Sequence, residues 1–177
     1  MKIVVNAGHT KLGKGTGAVG LLKESVETRK IAYHLMYLLA STKHEVIPAV
    51  FDKSDNNLKE AVNLANNEKA DLFVSIHLNA GGGEGVEAYT WKGKKTDLSN
   101  KICRNIANLG FKNRGVKDGS HLYVIKNTKA TAILIECCFV DNPKDKEKYN
   151  AYFAEPQYSA DNACGIAVLS TICFKKD

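Results

Sequence analysis

The sequence is poor in proline and lacks paired cysteines, repeats and low-complexity tracts. Its 177 residues contain only three prolines, and its five cysteines form no Cys-x-x-Cys pair. An odd cysteine count without paired spacing predicts neither a disulfide framework nor a cysteine zinc site, so we interpret the thiols as reduced and buried. No linker, repeat or low-complexity tract interrupts the chain, which argues against collagen, coiled coil and disorder.

Long hydrophobic runs are also missing. The N-terminus, MKIVVNAGHT, has one lysine and a short apolar run before polar residues and glycine follow. This segment is too short for a membrane span and lacks the pattern of a secretory signal, so it predicts a first strand. We therefore expect no membrane insertion.

The sequence has fewer acidic than basic residues: 19 aspartates and glutamates against 25 lysines and arginines, which gives a formal charge of +6. A basic surface favours polyanions, which include nucleic acid, anionic lipid and the anionic polymers of a bacterial wall. Charge alone does not choose among them. With 44% hydrophobic residues, the composition predicts one globular domain over residues 1–177.

The apolar runs indicate an α/β fold. KIVVNAGH, DLFVSIH and TAILIE predict strands buried on both faces, as in a parallel sheet. HEVIPAVFD predicts an edge strand because Pro48 cannot donate to a central ladder. GVEAYTW and SHLYVIK predict two more strands, and SHLYVIK is expected beside TAILIE. Helical spacing appears in four segments: residues 23–41, NNLKEAVNLANNEKA, TDLSNKICRNIANLG and a final PQYSADNACGIAVLSTICF.

Ionisable residues follow three of the buried strands. His9, His77 and Glu136 each stand at the carboxyl end of an apolar run, and Glu24 opens the first crossover helix. In open α/β sheets this edge carries the functional site. Two imidazoles and one carboxylate can hold a zinc ion and leave a position open for catalysis, with one carboxylate to spare.

The spare carboxylate suits proton transfer. Hydrolysis of an amide needs a base that takes a proton from water and an acid that returns it to the leaving amine. Glu136 is the candidate for both steps. The glycine loop NAGGGEG after His77 would let a bulky substrate approach.

A competing motif is GTGAVG, the Gly15–Gly20 loop, which matches the dinucleotide-binding pattern and is followed by Asp52 after the next strand. Its glycines do not begin in the tight turn after the strand, and Asp52 lies farther along the chain than that pattern requires. A dinucleotide-binding protein is therefore a weak alternative. A non-catalytic wall-binding module is the other.

The segments NAGHT, GLLKE, SIHLNA and ILIECCFVDNPKD occur in an order that resembles the zinc-dependent N-acetylmuramoyl-L-alanine amidases, especially their clostridial phage endolysin branch. The resemblance implies a twisted, mostly parallel (mixed) sheet of about six strands flanked by helices on both faces. It implies one zinc ion on His9, Glu24 and His77, with Glu136 as the catalytic glutamate and peptidoglycan as the substrate.

The same resemblance implies where such a protein would work. An endolysin without a signal peptide is made in the bacterial cytoplasm and reaches the wall after release. Such enzymes often carry a C-terminal wall-binding domain, so this chain could be the catalytic part of a longer protein. We expect no nucleic acid partner, and the sequence does not indicate an oligomeric state.

Overall fold

β-Branched segments form the centre of a six-stranded sheet. The computed structural model describes residues 1–153 of the protein. Its strands are β1 (Lys2–Ala7), β2 (Glu45–Ala49), β3 (Leu72–Asn79), β4 (Val86–Thr90), β5 (Asn113–Asp118) and β6 (Thr131–Phe139). They are arranged in the order β2-β1-β3-β6-β4-β5.

The sheet is mixed but mostly parallel. β1 pairs in parallel with β2 and β3, and β3 pairs in parallel with β6. β4 runs antiparallel to β6 and carries β5 parallel to itself at the far edge. The carboxyl ends of β1, β3 and β6 therefore meet at one edge of the sheet, as the strand-end pattern requires.

Helices cover both faces of the sheet. They are α1 (Glu24–Ala40), α2 (Asn57–Asn67), α3 (Asp97–Ala107), α4 (Tyr123–Asn127) and α5 (Pro143–Phe153). One core layer includes buried residues of α1, α3 and α5, whereas the other includes buried residues of α2 and α4. The predicted single α/β domain with helices on both faces is confirmed. No helix in the part of the chain that the structure describes is long and apolar enough to cross a membrane.

The prediction for SHLYVIK is wrong. This segment forms a turn followed by the short helix α4, and the neighbour of β6 is β4 rather than this segment. Val124 and Ile125 are buried against α2 in the second core layer. A short apolar run fits a strand and a helix equally well by periodicity, and here packing against α2 decides.

The strand β5 was not predicted. Its sequence, NRGVKD, has one β-branched residue and no fully buried one, because it lies at the edge of the sheet. α5 lies in a charge-rich segment, PKDKEKYNAYF, where no helix was predicted. The final helix expected over PQYSADNACGIAVLSTICF lies outside the described residues.

Candidate metal and catalytic site

Three of the four predicted site residues converge at the carboxyl edge of the sheet. His9 Nε2 and His77 Nδ1 each lie 3.1 Å from Glu24 Oε1. The candidate ligand atoms of the three residues are all within 4.8 Å of one another. The two imidazole rings meet edge to face, with their centroids 4.9 Å apart.

The turn after β1 presents His9 in a strained backbone conformation. His9 has a φ of 66°, a left-handed value that is uncommon outside glycine and clusters at functional sites. Its Nδ1 lies 3.1 Å from the Gly15 carbonyl oxygen, so a proton on Nδ1 leaves Nε2 free as a ligand. The tautomer of the ring is thereby matched to metal binding.

Arg29 secures the same turn from α1, and the sequence reasoning missed this role. Its guanidinium donates to the carbonyls of His9 (3.2 Å) and Phe51 (2.9 Å), and pairs with the Asp52 carboxylate at 3.0 Å. Asp52, the acidic residue of the dinucleotide alternative, is thus engaged within the protein.

Glu24 is held by backbone amides as well as by the histidines. The Ala18 amide donates to Oε2 at 2.8 Å, and the Leu78 amide donates to Oε1 at 3.1 Å. Burial by itself would raise the pKa of Glu24, but the hydrogen bonds with His77 and His9 outweigh it and hold this pKa far below the usual range. The carboxyl group is therefore ionised, as a metal ligand must be.

Two glycines make the cluster possible. A Cβ atom at Gly8 would stand 2.4 Å from His77 Cε1, and one at Gly17 would stand 2.7 Å from Glu24 Oε2. Gly17 also has a φ of +76°. Part of the GTGAVG motif is thus explained by close packing against the histidine and glutamate cluster.

The two histidines differ in their electrostatic environment. Burial lowers the pKa of His77 despite its contact with Glu24, which favours the neutral imidazole that binds metals. Burial also acts to lower the pKa of His9, but the hydrogen bond and charge of Glu24 raise it overall. Two imidazole nitrogens and one carboxylate oxygen are a donor set that suits a catalytic zinc ion.

Glu136 stands beside this cluster, directly opposite His77 in the register of β3 and β6. Its Oε2 atom is buried and has no hydrogen-bond partner among the described residues. Burial and the negative charges of Glu24 and Glu87 raise the pKa of Glu136 to about 8. An unpartnered carboxyl group with a raised pKa is suited to accepting and returning a proton.

A second buried carboxylate, Glu87, lies opposite Glu136 on β4 and was missed by the sequence reasoning. We refer to Glu87 and its four donors as the Glu87 network. The Asn79 amide and the Tyr89 hydroxyl each donate to Glu87 at 2.7 Å, while Arg114 and Lys117 form ion pairs with it. Burial would raise the pKa of Glu87, but these donors lower it overall.

The glycine loop after β3 is fixed by residues that precede α5. The amides of Gly81 and Gly82 donate to the Asp141 carboxylate at 2.8 and 2.9 Å. Both glycines have positive φ, and a Cβ on either would meet no atom within 4 Å. Gly83 instead faces the Phe139 ring, where a Cβ would lie 2.3 Å from Cζ. The loop is thus held by Asp141 and packed against Phe139.

Comparison with known proteins shows the family of the chain. The model of one family, N-acetylmuramoyl-L-alanine amidase, matches residues 3–167. This chain belongs to that family. The family resemblance expected from the sequence is confirmed.

Relatives of this amidase family member support the assignment. It is 32% identical to the N-acetylmuramoyl-L-alanine amidase CwlM of Bacillus licheniformis over 173 residues, which cover 94% of this chain and 68% of CwlM. The catalytic domain of the CD27L endolysin targeting Clostridia difficile superposes with a TM-score of 0.84 at 26% identity, covering 97% of this chain and 96% of that domain.

Another relative is an uncharacterized protein of Clostridium perfringens, 34% identical over 159 residues. The match covers 84% of this chain but only 47% of that protein. The chain thus spans about half the length of this relative.

Proposed function

We propose that this chain hydrolyses the amide bond between the lactyl group of N-acetylmuramic acid and L-alanine in bacterial peptidoglycan. The proposal rests chiefly on the convergence of His9, Glu24 and His77 next to the unpartnered Glu136. Family membership supports the choice of bond, because a site of this chemistry alone would serve many amides.

The proposal includes one zinc ion held by His9, Glu24 and His77. The donor set fits this ion because the three ligand atoms already face one another and Glu24 is ionised. When bound, zinc supplies polarisation of the amide carbonyl and activation of water. With three protein ligands, the site would leave room for substrate, as catalytic zinc sites do.

Glu136 is proposed to move the proton. Its buried Oε2, which no donor within residues 1–153 engages, would take a proton from water as the carbonyl is attacked. The same carboxyl group then protonates the nitrogen of L-alanine as the amide breaks. In the metal-free protein the raised pKa of Glu136 brings its protonated and ionised forms closer in energy near neutral pH, which suits a group that must both accept and return a proton.

Two alternatives are less well supported. The Gly15–Gly20 loop could belong to a dinucleotide site, but Gly17 packs against His9 and Glu24 and Asp52 pairs with Arg29. A non-catalytic wall-binding module would not require a buried carboxylate without a donor, since such a group is costly to maintain. A hydrolase accounts both for the packing of Gly17 against His9 and Glu24 and for the Glu136 oxygen without a donor.

Digestion of purified peptidoglycan tests the proposal. We expect new amino termini on L-alanine, no new reducing sugars, and loss of the release when zinc is chelated and recovery when zinc is restored. New reducing ends would identify a glycosidase, and amino groups on other residues would identify an endopeptidase. Tight wall binding without any release would favour the non-catalytic module.

The domain organisation and site of action of the whole protein are further proposals. A wall-binding domain beyond residue 177 stays a prediction, as do synthesis in the bacterial cytoplasm and action on the wall after release. The oligomeric state is not part of the proposal.

A further inference from the structure

The opposite edge of the sheet carries a basic cavity that the proposed reaction does not use. It has a volume of about 380 Å³ and lies between the end of β4, the helix α4 and the start of β6. Its lining includes Trp91, Lys94, Lys126, Thr128 and Lys129. Thr131 begins β6, five residues before Glu136, so the cavity is separated from the candidate active site by roughly 17 Å of strand.

The charge of this cavity is not balanced by the protein. No acidic residue is among its described lining residues. Lys94, Lys126 and Lys129 have no ion-pair partner within residues 1–153, where six other lysines do. Three uncompensated ammonium groups around one concavity favour an anion.

The cavity also offers groups for the uncharged part of a ligand. Trp91 is 46% exposed, so its indole presents a large apolar face beside the lysines. The Thr128 hydroxyl oxygen is buried and has no hydrogen-bond partner among the described residues. The volume exceeds what a lone phosphate needs, which indicates a ligand that joins an anion to an organic unit.

A second hollow of about 320 Å³ adjoins the first and shares Lys129 and Ala130 with it. It adds Lys69 and again has no acidic residue in its described lining. The ridge between the two hollows is held by Asn66, whose side chain donates to the Asn127 carbonyl at 3.0 Å and accepts from the Lys129 amide at 2.8 Å. Two adjacent basic hollows on an ordered ridge suit successive units of a polymer.

We propose that these two hollows, here named the basic edge, bind a polyol phosphate polymer of the bacterial wall. Phosphates would contact the lysines, while the polyol units would lie against Trp91. A nucleic acid strand shares the phosphodiester chemistry, but Trp91 is the one aromatic side chain among the described lining residues, whereas single-strand binding sites stack successive bases on several aromatics. The choice of a wall polymer as the phosphate source rests on the proposed function.

Binding would leave the candidate active site free, because the basic edge lies at the amino end of β6 and Glu136 lies toward its carboxyl end. The enzyme could therefore hold one wall polymer while it acts on another. Part of the excess positive charge of the chain, +6 in total, would then serve to bind this polymer.

Titration calorimetry with a synthetic glycerol phosphate hexamer tests the proposal on the full, zinc-loaded chain. The variant Lys126→Ala/Lys129→Ala removes two lysines of the basic edge, and Lys43→Ala/Lys59→Ala removes two exposed lysines elsewhere for the same change in charge. We expect the first pair to weaken binding at least about tenfold, as charged hydrogen bonds do, and the control pair to change it less than about twofold. Trp91→Ala should also weaken binding.

Repeating the titration on Glu136→Gln separates this proposal from the proposed reaction, because binding should persist when hydrolysis fails. No saturable binding by the wild type, or equal weakening by both lysine pairs, would overturn the basic edge as a site. A single-stranded oligonucleotide or phosphatidylglycerol vesicles that bind the same lysines as tightly as the hexamer would overturn its assignment to a wall polymer.

Discussion

Glu87, which is buried, and Glu136, which is half-buried, lie side by side on β4 and β6, and the surroundings of their carboxyl groups are opposite. Glu87 accepts hydrogen bonds from four side chains, and its pKa is lowered. Glu136 faces it in the sheet, yet its Oε2 has no donor and its pKa is raised to about 8. This contrast indicates that a carboxylate with all its donors serves structure, whereas one left without donors is available for chemistry.

Glu24 can be compared with Glu87 and Glu136 in the same way, by the groups that contact its carboxylate. This carboxyl group is also fully engaged, but its partners include two histidines that are themselves metal ligand types. The edge of the sheet thus divides into the candidate metal-binding cluster, the proposed proton-transfer group and the Glu87 network. Each part of this division can be tested by removing one group.

The largest effect is expected from the metal-binding cluster. His77→Ala should abolish stoichiometric zinc and all measurable amide hydrolysis, because a three-ligand site loses a deprotonated donor. His44→Ala, which alters a histidine before β2, is the matched control and should retain one zinc per chain. Elemental analysis of both purified variants gives the result, and full zinc in His77→Ala would remove this residue from the ligand set.

Glu136→Gln should be the next most severe change. We expect zinc and fold to be retained and the rate to fall at least about a hundredfold, the usual contribution of a positioned acid or base. The matched change Glu87→Gln should keep the rate within about tenfold of the wild type, after correction for folded fraction. Release of L-alanine amino termini measures both rates, and a similar loss in the two variants would contradict the division of roles.

Glu87→Gln should instead reduce stability. The substitution leaves Arg114 and Lys117 without their carboxylate, which should lower the free energy of unfolding by about 1–3 kcal/mol. This loss is smaller than that for a fully buried ion pair because the Arg114 and Lys117 side chains are 30% and 37% exposed. Urea unfolding at neutral pH measures the loss. A stability equal to that of the wild type would show that the network contributes no net energy.

The last effect concerns the pH dependence of stability. The pKa of Glu136 is raised from an ordinary value of 4.5 to about 8, so its neutral form is favoured by folding. Stability from this group is complete below pH 4.5 and is lost as pH rises through about 8. In the presence of a chelator, wild type should therefore lose about 1–3 kcal/mol relative to Glu136→Gln between pH 5 and pH 9. A constant difference across this range would place Glu136 in a solvated environment.

The sequence was informative where local pattern and position coincide. The buried strands and the helix that begins at Glu24 were predictable because their apolar residues recur with the period of each element. His9, His77 and Glu136 could be placed at one edge because parallel strands end together. Their assignment as zinc ligands and proton carrier stays a prediction.

The sequence was less informative where partners are distant along the chain. Arg114 reaches Glu87 across 27 positions, and Asp145 accepts from the Gly85 amide across 60. Neither contact leaves a local pattern. SHLYVIK was assigned to the wrong element for the same reason, since contact with α2 was needed to decide it.

The kind of fold and the residues that meet at the carboxyl edge follow from the sequence, because hydrophobic periodicity and strand direction are local properties. The tertiary structure was needed to show that Glu87 is engaged by donors and that Glu136 Oε2 is not. It also decided that β5 completes the sheet and that separate lysines gather at the opposite edge. These outcomes depend on contacts between distant segments, and the energy of a buried charge is set by the groups that surround it in space.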